Sequence, residues 1–214
     1  MKKEMERKMN KIIVALAAVG LAMLAACSLG PAQKDAAPAY DLGAAPASAD
    51  QPRIRASLLV HAVAAPSWLE SSAILYRLKY QDDARQLAYA NSRWAAPAAA
   101  LLTQRLRARL AAAADGGIVS IADSARADYA LRVELEEFTQ VFDSVGASRG
   151  VIVARASLVN VARRNLIAQK TFSLTQPAAT ANAEGGVRAL ASASDQLVEA
   201  ITTWTAANFA ADKK

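Results

Sequence analysis

From Tyr129 to Leu135 every second residue is large and apolar: Tyr129, Leu131, Val133 and Leu135 stand against Ala130, Arg132, Glu134 and Glu136. A period of two is the side-chain period of a β-strand, so this stretch predicts a strand with one dry face and one wet face. After Glu137 the phase slips, and Phe138 and Phe142 carry the apolar face onward, which predicts a β-bulge. Val151 to Val161 reads as a second long strand and Arg163-Arg164-Asn165 as a turn. Leu166 to Leu174 returns, with Ala168, Phe172 and Leu174 on one side. Pro177 stops it. A sheet with one apolar face must be covered. The covering layer lies downstream, where Val187, Leu190, Ser194, Leu197, Ile201 and Trp204 recur at spacings of three and four, the stripe of a long amphipathic helix. That stripe is read as core packing against the sheet rather than as a coiled-coil seam.

The first half repeats the theme more weakly. Tyr40-Asp41-Leu42-Gly43 is short and alternating enough for a first edge strand. Arg53 to Ala64 is a strand candidate carrying Ile54, Leu58, Val60 and Val63, and Pro66 ends it. Ile74 to Lys79 is another, with Ile74, Tyr76 and Leu78 on one face; Asp82-Asp83 turns the chain and Gln86 to Tyr89 returns. Pro97 marks a helix start. Ala99, Leu102, Leu106, Leu110 and Ala113 form that helix's apolar stripe, with Arg105, Arg107 and Arg109 at or beyond its edges, and Asp115-Gly116-Gly117 ends it. Together these elements predict an α+β fold: a mainly antiparallel sheet with two helices packed on one face, in strands–helix–strands–helix order.

The N-terminus reads differently. Lys2, Lys3, Arg7, Lys8 and Lys11 make a basic stretch, and an apolar run follows from Ile12 to Ala26. That run is too short to cross a bilayer core of about 30 Å comfortably. Residues 1–26 are therefore expected to be an export signal, outside fold reasoning. The run ends Leu24-Ala25-Ala26-Cys27, which resembles the bacterial lipobox. Cys27, the only cysteine in the chain, is the expected lipid attachment site. Acylation of Cys27 leaves no thiol for an intramolecular disulfide, whatever the redox compartment. Ser28 follows, where inner-membrane retention signals usually place an aspartate, so outer-membrane sorting is expected. Ser28 to Pro52 is rich in Ala, Pro, Ser and Asp and reads as a tether. The domain organisation is then signal peptide 1–26, flexible tether 27–39 and a single domain 40–214. The net charge of +6 includes five Lys/Arg against two Glu in the signal, so about +3 remains in the mature chain. So modest a charge in an exported protein argues against nucleic acid as a partner.

The chemical inventory is sparse. His61, the only histidine, lies in a strand candidate and cannot alone build a metal site or a triad; it reads as structural or exposed. No nucleophile elbow, phosphate loop or zinc-protease helix occurs. Glu134 and Glu136, with Glu137 beside them, read as the wet face of a strand rather than an acidic catalytic group. Gly185-Gly186 near a helix start has no strand leading into it and no lysine after it, which argues against a phosphate cradle. Gly146 to Gly150 reads as a hairpin loop. No catalytic, cofactor-binding or metal-binding residues are expected, no cofactor, and no enzyme.

A resemblance joins these pieces. Ala65-Pro66-Ser67-Trp68-Leu69, Ile74-Leu75-Tyr76-Arg77 and Ser92-Arg93-Trp94 with Pro97 resemble the ABC-type transport auxiliary lipoproteins, including the paraquat-inducible protein C type. Glu136-Glu137-Phe138, Val141-Phe142-Asp143 and Gly186-Val187-Arg188-Ala189-Leu190 extend the likeness, which covers about Tyr40 to the C-terminus. The spare opening strand at Tyr40 departs from the pattern. The resemblance implies a non-enzymatic docking component of an MCE-type lipid transporter. It would be anchored at the outer membrane facing the periplasm, with an MCE-domain protein and its permease and ATPase as partners. Some members of the family assemble as rings, and an exposed edge such as Tyr40–Gly43 could support a homo-oligomeric ring by strand addition. The alternative is a structural outer-membrane assembly lipoprotein uncoupled from any transporter.

Overall fold

The computed structural model describes Glu4 and residues 37–46, 53–120, 123 and 125–212. The chain divides into two units, Met1–Ala36 and Ala37–Lys214, and the fold lies in the second. Cys27, the signal segment 1–26 and the tether to residue 36 lie outside the described residues, Glu4 apart.

The elements in chain order are β1 (Ala39–Tyr40), β2 (Leu58–Val60), a 3-10 turn (Ser67–Leu69), β3 (Ala73–Leu78), β4 (Gln86–Trp94), α1 (Ala98–Ala113), β5 (Ile118–Val119), β6 (Tyr129–Ser144), β7 (Ala147–Asn160), β8 (Asn165–Pro177) and α2 (Ala183–Asp212). The eight strands form one sheet. Its spine is the antiparallel meander β6–β7–β8. The predicted bulge is present, a register shift between Leu135 and Glu137. It returns Phe138 to the face of Leu131, Val133 and Leu135, and all four are buried. In β7 burial alternates without a break, with Ile152, Ala154, Ala156 and Leu158 turned to the helices.

The sheet is mixed, which corrects the mainly antiparallel expectation. β2 runs parallel to both β5 and β6, β3 runs parallel to β6, and β1 runs parallel to β4. The physical reason is connection length: the parallel partners are all far apart in the chain, whereas the short connections β3–β4, β6–β7 and β7–β8 are hairpins, which can join only antiparallel neighbours. The plain strands–helix–strands–helix order is not matched either. A 3-10 turn separates β2 from β3, and the strands on either side of α1 interleave as β1-β4-β3-β6-β2-β5, with β7 and β8 beyond β6. The segment 53–64 is mostly not a strand. Only Leu58–Val60 pairs regularly, while Ile54 and Ala64 make single bridges to Ala114 and Glu134.

Both helices contribute to one core cluster, which joins Leu106 and Leu110 of α1 to Ile152 and Leu158 of β7 and Leu190 and Leu197 of α2. Pro97 stands as the extended residue before α1 and its carbonyl accepts from the Ala100 and Leu101 amides. Gly117, at φ +80°, turns the chain away after the helix, a backbone conformation that favours glycine. Gly150 lets α2 come down on β7: a Cβ there would stand 2.8 Å from the Leu190 amide nitrogen.

Candidate functional site

The apolar stripe of α1 predicts what the helix buries and leaves its arginines unexplained. In the fold they are fasteners. Arg105 reaches Asp195 of α2 and the carbonyls of Leu42 and Gly43. Arg109 makes a bidentate pair with Glu199, Nε to Oε2 at 2.8 Å and Nη2 to Oε1 at 3.0 Å. Arg107 points the other way and donates to the Val60 carbonyl from Nη2 at 2.9 Å. Arg105 and Arg109 are largely buried, while Glu199 remains 44% exposed, and the bidentate form of the Arg109–Glu199 pair fixes its geometry better than a single surface contact would. A cleft of about 640 Å³ lies between α1, α2 and the 41–46 segment, walled by Leu42, Pro46, Leu101, Ala108 and Val198. The signal was present in the sequence as two four-residue ladders of opposite charge, Arg105/Arg109 and Asp195/Glu199. An apolar stripe at helical spacing carries no information about which charges meet across two helices.

A second polar cluster lies where α2 begins. Gln140 is fully buried on the helix side of β6. Its Oε1 accepts from the Tyr89 hydroxyl at 2.9 Å, and its Nε2 donates to Ser148 Oγ at 2.8 Å and the Asn182 carbonyl at 3.1 Å. Burial, with Tyr76 beside it, pushes the Tyr89 hydroxyl up to about 12, so it stays protonated as the donor. Gly186 makes room for the cluster, because a Cβ there would fall on Gln140 Oε1. The Gly185-Gly186 pair is thus a packing device, and the Asn182 side chain caps the Gly185 amide at 2.9 Å.

The remaining sequence candidates are scattered. His61 follows β2, its amide bonded to the Leu131 carbonyl. Partial burial, then Arg132 and Arg107, lower its pKa below 6.5, so it is neutral at pH 7. Glu134 and Glu136 lie on the wet face of β6 and pair with Arg155, Glu136 at 3.9 Å; Glu137 pairs with Arg77 at 3.5 Å. Those carboxylates are engaged by arginines, as a solvated sheet face would have them. The Gly146–Gly150 loop is shorter than expected: β6 ends at Ser144 and β7 begins at Ala147, leaving Val145-Gly146 as the tip. Among the described residues no group of three His, Cys, Asp or Glu is placed to hold a metal, and no helix is long and apolar enough to cross a membrane. Cys27 is outside the described residues.

Residues 40–202 match the family of ABC-type transport auxiliary lipoprotein components, well over half of the chain. The chain belongs to this family. Among solved structures, the fold is similar to protein XCC0632 of Xanthomonas campestris, of family DUF330. That likeness has a TM-score of 0.68 at 19% identity and covers 78% of this chain and 92% of that one. An uncharacterized protein gives a TM-score of 0.57 at 22% identity, covering 72% of this chain and 94% of that one. No curated protein matches the chain.

Proposed function

We propose that the protein is a non-enzymatic docking component of an MCE-type ABC system that moves lipid across the periplasm. It is held on the outer membrane by acyl chains on Cys27. The observation that carries this reading is the family match over residues 40–202. The domain supports it by what its charged groups do, since arginines and carboxylates tie elements to each other. Docking needs a rigid domain and a membrane address, and the inter-helix pairs of Arg105 and Arg109 supply the rigidity. A homo-oligomeric ring belongs to the proposal, but the Tyr40–Gly43 edge is a poor seam for it. β1 is two residues long and Arg105 already takes the carbonyls of Leu42 and Gly43.

The test is co-purification. The full chain, extracted in mild detergent, should bring down the periplasmic part of a cognate MCE protein. Deleting its gene should weaken the outer-membrane barrier to the same degree as loss of the transporter's ATPase. Absence of the MCE protein from the extract, while its own permease–ATPase complex stays intact, would overturn the transport reading in favour of a structural lipoprotein.

A further inference from the structure

The long free edge of the sheet is β8. It pairs with β7 alone, so among the described residues the outer side of Asn165–Pro177 has no neighbouring strand. An edge of that length presents a row of unpaired amides and carbonyls, and such edges are either guarded or used. Next to it lies a groove of about 520 Å³ between β8 and α2, floored by Phe172, Trp204, Ala200 and Ala207. Phe172 and Trp204 meet edge-to-face with ring centroids 6.0 Å apart.

Lys170 decides what fits there. In the β7–β8 register Lys170 stands opposite Ala156 and Phe172 opposite Ala154, so both point to the helix side. The Lys170 Nζ lies 5.1 Å from the centroid of the Phe172 ring. Lys170 is exposed to solvent, and a charge on the helix-facing side of an edge strand opposes indiscriminate pairing, because an incoming apolar side chain laid over it would strip water from the ammonium without compensation. The other charge in the groove, Glu199, already has both oxygens on Arg109. Among the described residues no carboxylate pairs with Lys170. A second copy of β8 does not supply one either. Antiparallel self-pairing centred on Thr171 sets Lys170 against Phe172 of the other copy, and centring on Lys170 sets two ammonium groups together.

We propose that this edge receives, by strand addition, an extended segment of a partner protein. That segment places a carboxylate opposite Lys170 and an apolar residue two positions to either side. Main-chain bonds to β8 supply affinity, and the groove with its single positive charge supplies selectivity. The inference stands on the strand edge, the groove and Lys170, and does not depend on the transport reading.

Two synthetic peptides test it: Ac-Thr-Leu-Thr-Glu-Thr-Leu-Thr-NH2 and the same peptide with lysine at the centre, each titrated into the full chain. Amide exchange is read along the sheet. The glutamate peptide should bind roughly tenfold more tightly than the lysine peptide and slow exchange within Asn165–Pro177, and Lys170→Glu should reverse the preference. The wild-type comparison needs no variant, and Lys170→Gln, expected to erase the preference, guards against a charge reversal that disturbs the fold. Equal binding of both peptides, or no binding at millimolar concentration, would sink the proposal. So would protection at β1 or β5 in place of β8, or protection of β8 that rises with protein concentration without peptide.

Discussion

Glycine 186 is where a single atom matters most. Its missing side chain is the space that Gln140 occupies, and Gln140 holds Tyr89, Ser148 and the Asn182 carbonyl together. Gly186→Ala should destabilise the domain by about 1–3 kcal/mol, since a methyl forced into a packed interior displaces its neighbours. Gly146→Ala, at a hairpin tip with open space around it, should stay within about 0.5 kcal/mol. Denaturant midpoints of the two variants check this; equal midpoints would mean that Gln140 moves aside freely. The sequence argues against a phosphate cradle at Gly185-Gly186 and offers no other use for the pair. What the pair does was not legible, because Gln140 lies far off in the chain and nothing local announces their meeting. The arginines of α1 are the same case: their types and spacing were visible, but their partners on α2 come from tertiary packing.

At the scale of elements, the apolar period fixes type and facing and leaves direction open. Alternation in Tyr129–Leu135 reads the same whether a neighbour runs parallel or antiparallel, so it carries no sign of the four parallel pairings the sheet contains. The available clue is connection length, since a short hairpin joins only antiparallel strands and every parallel pair here is separated by a long stretch of chain. Segment 53–64 misled for a related reason: Ile54, Leu58, Val60 and Val63 are all buried, and burial alone does not make a ladder. The stripe of α2 was read rightly, because six apolar or small positions at helical spacing admit one face. Leu197 is 1% exposed and belongs to the core cluster. Leu197→Ala should lower stability by about 2–5 kcal/mol through lost burial and the cavity left behind. Its native mass should stay unchanged. An unchanged stability with a smaller assembly would mean that α2 is a seam between copies.

On the proposed reading, the molecule as a whole depends on Cys27, outside the described residues. A single acyl chain, at about 0.8 kcal/mol per buried methylene, holds a protein only reversibly, whereas several chains on one cysteine make release negligible. β1 takes up the chain at Ala39, so eleven residues separate Cys27 from the first strand. Even fully extended they reach at most about 40 Å. On the proposed reading, anchor and domain work as a unit, since lipid sets the height and the domain supplies the surface. Cys27→Ser should therefore accumulate as unprocessed precursor, incorporate no labelled fatty acid and fail to restore the permeability barrier in a deletion strain, while the wild type fractionates with outer membrane. Restoration of the barrier by a soluble domain exported through an unrelated cleavable signal would separate function from anchoring. Height above the bilayer would then have no part in how the protein meets its transporter.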